Sequence, residues 1–365
     1  WFQLGCFSPI NRLHSSNSGF TSKEPWRYSR DARATMEAHL RLRHRLVPYL
    51  YTWARRSVAE GIAPVRPVYH DHPRELAAYE HRGSFYFGDL LVVPFTCRLD
   101  ETTGLGRELT WLPDGVWYDL PTGRRYEATT GRRGRMLSLS RPLDRIGVLA
   151  RTGSVIPLAG NLTEAAGDNP RELEIVVVPG GSGSFTLEED DGSAQPGEDR
   201  IARTHMALTW PEDEDGADVV LRIRLEGAAD VVPASRLVTV RLLAGRVAGA
   251  WLGVGERARR LATEEVSGDG FTLGAGTLVH LEELSRQDLI DGVQLVLRGA
   301  EHSPADWRNE VHTILDAARV EYMAKDLAWD AVQRGLSGTA LLGELEALGL
   351  PETLRAAVAE VLPHS

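Results

Sequence analysis

Cysteine is nearly absent: Cys6 and Cys97 are the only two, and they stand far apart. A disulfide framework and a cysteine-built metal site both need clustered thiols, so neither is supported. No apolar run approaches the ~20 residues that a membrane-spanning helix requires. Positive charge is scarce beside negative, with 41 Lys and Arg against 51 Asp and Glu and a formal net charge of −10. That argues against a nucleic-acid partner, because phosphate binding needs concentrated cations. Arg41, Arg43 and Arg45 do cluster, but at a spacing that a helix splays around its circumference, and they are expected to be a solvated, ion-paired surface. Residues 301–365 hold eleven acidic against five basic residues, a net −6, as a solubilising surface or docking tail would. Asn161-Leu162-Thr163 fits a glycosylation sequon, but nothing beside it indicates secretion, and a cytoplasmic location is favoured.

What is present divides the chain into four parts. Over residues 30–60, Leu42, Leu46, Tyr49 and Trp53 recur at four-three-four spacing and predict one apolar helical stripe. Ser29 or Asp31 can cap it, Gly61 ends it, and Pro48 should kink or split it. An extended run from Pro64 to Tyr69 and a turn at His72-Pro73 follow; a long helix feeding a short strand is one unit of a (β/α) barrel. From about 84 to 300 short strands alternate with Gly, Pro, Asp and Asn turns: Phe85–Phe87, Leu90–Phe95, Leu173–Val178, Val219–Leu225, Leu237–Leu242 and Val293–Leu297. In Val219–Leu225 the aliphatic residues alternate with Arg222 and Arg224, the pattern of a half-buried antiparallel strand. Such strands predict β-sandwiches, with the loop Ala159–Glu172 as the boundary between two of them. Residues 305–362 return to helical periods, with Val311, Leu315, Ala318 and Tyr322 as one stripe and Leu354, Val358 and Leu362 as another, and Pro351 at a helix start.

Six segments, in order, carry a resemblance. Trp1–His14 resembles the R-W-x-Q-x-G-x-F-x-P-x-x-R-x-H segment of glycoside hydrolase family 31, the α-glucosidase and α-xylosidase family. Arg41–Tyr51 is similar to its R-L-R-Y-R-L-L-P-Y-I-Y helix, and Arg66-Pro67 with His72-Pro73 to the end of its eighth barrel strand. Phe87–Pro94 resembles F-G-x-x-L-L-V-A-P, Trp111–Asp119 resembles Y-L-P-x-G-x-W-Y-D, and Phe185–Gly192 resembles F-x-L-Y-E-D-D-G. The resemblance covers roughly the first 200 residues; the tail after 300 lies outside the family pattern. It implies a multidomain α/β plus all-β chain: the C-terminal end of a (β/α)8 barrel over 1–78, a proximal β-sandwich over 79–160, a distal one over 161–300, both antiparallel, and a helical tail over 301–365.

The family cleaves α-glycosidic bonds with retention, using an Asp nucleophile in a W-x-D-M-N-E context and an acid/base Asp after Gly. The first context does not occur here, and Asp89, which follows Gly88, and Asp119 belong to the sandwich segments. The expectation is the C-terminal portion of a retaining α-glucosidase-like hydrolase, truncated and inactive by itself, with an oligosaccharide or α-glucoside as substrate, no cofactor and no metal. α-Xylosidase is the second activity. The alternative is a non-catalytic carbohydrate-binding or interaction protein built on the sandwiches, and the tail is a candidate assembly element. The resemblance assigns His14 to the hydroxyls of the cleaved sugar, where imidazole offers one donor and one acceptor. Arg12 is expected to fix that loop by ion pairing; Trp26 and Phe20 are candidates to stack on outer sugars, with packing the favoured role for Pro25-Trp26. His70-Asp71-His72 imitates a metal pair and Glu188–Asp191 a calcium loop; a surface strand-end cluster and an Asp-Gly hairpin turn are the expected readings. With most barrel strands absent, Leu4, Phe7 and the apolar faces of residues 30–69 are expected to lack burial partners.

Overall fold

The structure, a computed structural model, describes residues 1–14, 17–129, 133–211, 218–253, 255 and 258–363. The stretch 30–60 forms two helices, Arg30–Arg45 and Val47–Glu60, parted at Leu46. The Ser29 hydroxyl caps the first by accepting from the Ala32 N–H, and Gly61, at φ 71°, closes the second. Pro48 accounts for the break, having no N–H to donate and a ring that crowds the preceding turn. Leu42, Leu46, Tyr49 and Trp53 are all buried, in one core with Phe87, Leu158 and Phe185 of the sheets. Phe7 is buried as well, edge-on to Phe87 with ring centroids 5.8 Å apart. These apolar faces therefore do have partners: the sheets supply the surface that barrel strands were expected to provide.

The hairpin meets the sheets at Gly88. Tyr49 Oη accepts from the Asp89 N–H at 2.7 Å and donates to the Phe87 carbonyl at 3.3 Å. Gly88 has φ 60°, and a Cβ there would lie 2.3 Å from Tyr49 Oη and 2.4 Å from Trp53 Nε1. Only glycine satisfies both the backbone angle and the approach.

The first sheet runs Val65–Pro67, Phe85–Phe87, Leu90–Val93, Gly147–Arg151, Val116–Asp119 and Arg125–Glu127. Val65–Pro67, expected as the end of a barrel strand, is its edge strand, antiparallel to Phe85–Phe87. Val68–Asp71 is a helical turn where an extended run was expected. Pro67 explains both: it has no ladder donor, which suits an edge, and its fixed φ leads into a helix start. In Leu90–Val93, Leu90 and Val92 face the core shared with the helices, while Leu91 and Val93 face a second core with Trp111, Trp117 and Leu139. The ribbon of Gly106–Leu112 and Arg135–Arg141 closes that second core. Coverage on both faces is why the run is apolar without interruption.

The second sheet runs Thr263–Val266, Gly276–His280, Ser235–Leu243, Glu172–Val177 and Val155–Ala159. The loop from Ala159 to Glu172, expected to divide two sandwiches, joins antiparallel neighbours within this one sheet. Glu172–Val177 and Ser235–Leu243 pair in parallel, so the sheet is mixed rather than antiparallel as expected. The chain between them crosses to the third sheet and returns, the long connection a parallel pair requires. The third sheet runs Gly183–Glu189, Ala202–Thr209, Val219–Gly227, Val293–Arg298, Gly249–Leu252 and Arg259–Leu261. Val219, Leu221, Ile223 and Leu225 are buried while Arg222 and Arg224 are exposed, following the sequence alternation.

Helices Trp307–Ala317, Tyr322–Gln333, Gly338–Ala347 and Glu352–Val361 form the tail around their own apolar core. Val311, Leu315 and Ala318 are buried, but Tyr322 is exposed: the first helix stops at Ala317, so its stripe does not continue into the next helix. The tail docks on its own chain. The buried Glu360 carboxylate accepts from Arg124 Nη1 at 2.8 Å, Arg141 Nη1 at 2.5 Å, Tyr126 Oη at 2.7 Å and the Ser140 N–H at 2.5 Å. Arg141 also donates to the buried Asp119 at 2.9 Å, and Arg124 to Glu310 at 2.7 Å. Burial alone would raise the Glu360 carboxyl pKa, but Arg141 and Arg124 hold it below its ordinary 4.5. A carboxyl depressed in the folded state contributes its stability in full above its unfolded pKa and loses it as pH falls through the folded one. Replacing Glu360→Gln strands buried arginines and should lower stability by about 3–5 kcal/mol at neutral pH in urea denaturation. That difference should shrink as the pH is taken below the ordinary 4.5 and further into acid.

Candidate functional site

The segment expected to hold a sugar begins with the short helix Phe2–Cys6. The Cys6 thiol donates to the His39 carbonyl at 2.6 Å, and burial, opposed by Arg43, pushes its pKa up to about 12. This cysteine is an anchor and not a nucleophile. His39 is itself buried, held by Nδ1 to the Thr35 carbonyl at 2.8 Å, and burial lowers its pKa, keeping the ring neutral. From the same helix Arg43 reaches the carbonyls of Cys6, Ser8 and Pro9 at 3.1, 2.6 and 2.8 Å. Three carbonyls within residues 6–9 are thus fixed by one guanidinium.

Past Pro9 the chain emerges. Arg12, His14 and Trp26 are all exposed, Trp26 by 65% and neighbouring Phe20 by 98%. Pro25 is buried, and the turn Pro25–Arg27 sits beside helix Arg30–Arg45. Among the described residues the side chains of Arg12, His14 and Trp26 have no hydrogen bond, ion pair or ring contact with one another. Arg12 forms no ion pair among the described residues; Arg43 fixes this segment, since a helix-borne guanidinium reaches the carbonyls without ordering a loop side chain. Sequence reading set Arg43 among three splayed surface arginines, and only the run of irregular residues opposite the helix signals its role.

The other candidates resolve into ion pairs. Asp71 takes Arg66 through two nitrogens, Nη2 at 2.9 Å and Nε at 3.1 Å, and this pairing with His70 lowers its pKa against the opposing effect of burial. His70 is exposed, whereas His72 points elsewhere and shares a 3.0 Å hydrogen bond with Tyr86 Oη. The helical turn at Val68–Asp71 sends the two imidazoles apart, and no metal-ligating group of three is found among the described residues. Glu188 pairs with Arg55 at 2.8 Å and Arg203 at 3.0 Å, Glu189 with the buried Arg236, and Asp191 with Arg200 at 3.2 Å. Asp190 accepts from Tyr51. Gly192 does turn, at φ 74°, but the connection to the strand starting at Ala202 is longer than a two-residue hairpin. Asp119 is buried in the tail-docking network, as a structural carboxylate would be.

Comparison with known proteins matches the described geometry. The glycosyl hydrolases family 31 TIM-barrel domain model matches residues 1–53, and the glycosyl hydrolase family 31 C-terminal domain model matches residues 61–156. An α-xylosidase from Saccharolobus solfataricus is 31% identical over 216 residues, covering 59% of this chain and 28% of that relative. The lysosomal α-glucosidase of Mus musculus is 26% identical over 244 residues, covering 62% and 25%. The chain thus spans about a quarter of the length of these relatives. A Flavobacterium johnsoniae dextranase of the same family, solved with isomaltotriose, superposes on 82% of this chain and 36% of its own, with TM-score 0.64 and 19% identity. That likeness shows a shared fold.

If Arg43 fixes the segment, Arg43→Ala should speed amide exchange across residues 5–10 by about tenfold or more, the loss of a charge-assisted hydrogen bond. Exchange in strand Val219–Gly227 should stay unchanged in the same mass-spectrometric experiment.

Proposed function

Because the chain belongs to glycoside hydrolase family 31, we propose that it is the C-terminal portion of a retaining α-glycosidase acting on terminal α-glucosidic bonds of oligosaccharides. The observation that carries this reading is the ordered match of a barrel segment over 1–53 and a C-terminal domain over 61–156. On this reading His14 hydrogen-bonds sugar hydroxyls, Arg12 flanks it, and Trp26 offers an apolar face to a sugar further out. Their exposure leaves all three able to meet a substrate. The α-xylosidase relative favours α-xylosidase as the second activity.

Retention needs two carboxyl groups about 5–5.5 Å apart, one to attack the anomeric carbon and one to protonate the leaving oxygen. This chain has no W-x-D-M-N-E segment, and its Gly-Asp pairs lie outside the barrel segment, so on this reading both motifs lie upstream and the chain supplies substrate positioning and scaffold. The isolated chain should show no turnover of p-nitrophenyl α-glucoside or α-xyloside, and the coding DNA upstream of Trp1 should continue in frame into those motifs. Turnover by the isolated chain, or a start codon at Trp1, would overturn the reading. In an enzyme assembled with the upstream portion, His14→Ala should lower kcat/KM by about 10–100-fold, the value of a lost hydrogen bond to a charged or polarised group.

A further inference from the structure

We propose that the cleft between the first and third sheets, beside Arg151 and Asp89, is a binding site for a neutral saccharide, lined by none of Arg12, His14 or Trp26. It encloses about 300 Å³, within the range of small-ligand pockets. One wall is backbone. The turn at Gly153, φ 81°, lies so close to Gly183 that a Cβ on either would come within 2.4 Å of the other strand's backbone. Another wall is the Arg66–Asp71 pair, with Arg66 also donating to the carbonyls of Gly88 and Ala63 at 3.1 Å each. Both walls are held by the protein's own contacts, so the cleft is formed before anything enters.

Two groups in it are not so held. The side chains of Arg151 and Asp89, both exposed, line the cleft with no hydrogen bond or ion pair among the described residues. Asp89 is exposed on the cleft side, and partial desolvation of its carboxyl raises its pKa, with Arg56 and Arg66 opposing. A ligand hydroxyl donates to Asp89 while another accepts from Arg151, and a polyol satisfies both at once. The charge balance selects the class. Arg66 and Arg151 face Asp71 and Asp89, and burial lowers the His72 pKa so that its ring is neutral near pH 7. A cleft without net charge gives no advantage to an anion, which Asp89 would repel, or to a cation, which Arg151 would. Tyr86 and Trp117 back the cleft from the core, 6% and 3% exposed, with Trp117 fixed by Nε1 donating to the Pro113 carbonyl at 2.9 Å, and Thr152, Ser154, Ser182 and Ser184 add hydroxyls to the lining.

The test is calorimetric titration of the whole 365-residue chain with maltotriose, repeated in excess inorganic phosphate. Saturable binding, unaffected by phosphate, is expected. Arg151→Ala and Asp89→Asn should each weaken it by about tenfold or more, as loss of a charge-assisted hydrogen bond does. Circular dichroism melting confirms folding of each variant, and Arg151, exposed and unpaired, keeps the test valid should Asp89→Asn unfold. No saturable binding, binding undiminished in Arg151→Ala, or displacement by phosphate would overturn the site. Because this readout is binding, it can succeed or fail independently of the turnover assay.

Discussion

Tyr49 pressed onto Gly88 is the contact on which the remaining architecture depends. Its ring stacks on Phe185 of the third sheet at 5.3 Å, and its hydroxyl bridges the Phe87 carbonyl and the Asp89 N–H of the first. One side chain thus joins the helical hairpin to both sheets. The hydroxyl is fully enclosed, so either backbone group left without it would be unsatisfied in an apolar setting. Because Arg43, two turns earlier on the same hairpin, holds residues 6–9, the position of the Arg12–His14 surface traces back to this contact.

The second organising constraint is charge. A chain with ten excess negative charges places many of its carboxylates at seams between elements, each met by arginine. Glu174 bridges Arg45 of the hairpin and Arg241 of the second sheet, at 2.8 and 2.7 Å. Glu189 and Arg236 pair across sheets, and Glu360 with Arg124 and Arg141 fastens the tail. Arginine suits this work because its planar fork meets a carboxylate through two nitrogens and cannot be neutralised by burial. Such pairs add little net stability over apolar packing, but they are costly to break singly, and so they fix which surfaces meet.

Periodicity made the local elements legible. The stripe Leu42, Leu46, Tyr49 and Trp53 and the alternation of Val219–Leu225 each need only neighbours in sequence to be read. What escaped depends on distant partners. The pairing of Val155–Ala159 with Glu172–Val177 turned an expected boundary into a hairpin, and Ser235–Leu243 made a parallel ladder with a strand more than fifty residues earlier. Strand pairing leaves no trace in the strand's own pattern, since buried parallel and antiparallel strands read alike. Tyr322 failed for a related reason: a break after Ala317 reset the helical phase, and no proline or glycine announces it.

The family was legible in the sequence and the contacts of the proposed site were not, and the residues that carry the family resemblance show why. Gly88 admits Tyr49; Asp119 anchors Arg141; Leu90–Val93 fill two cores; Phe185 stacks on Tyr49. These positions are constrained by packing from every side, which makes their pattern recognisable and says nothing of what is bound. The proposed substrate contacts obey the opposite condition: Arg12, His14, Trp26, Asp89 and Arg151 must keep hydrogen-bonding capacity or apolar surface turned outward. A residue that is underused by its own fold leaves a weak imprint in sequence, because little in the chain restricts it. The Arg151–Asp89 cleft became visible only once every internal partner had been accounted for, and the same accounting is what distinguishes it from the saturated carboxylates of Glu188–Asp191.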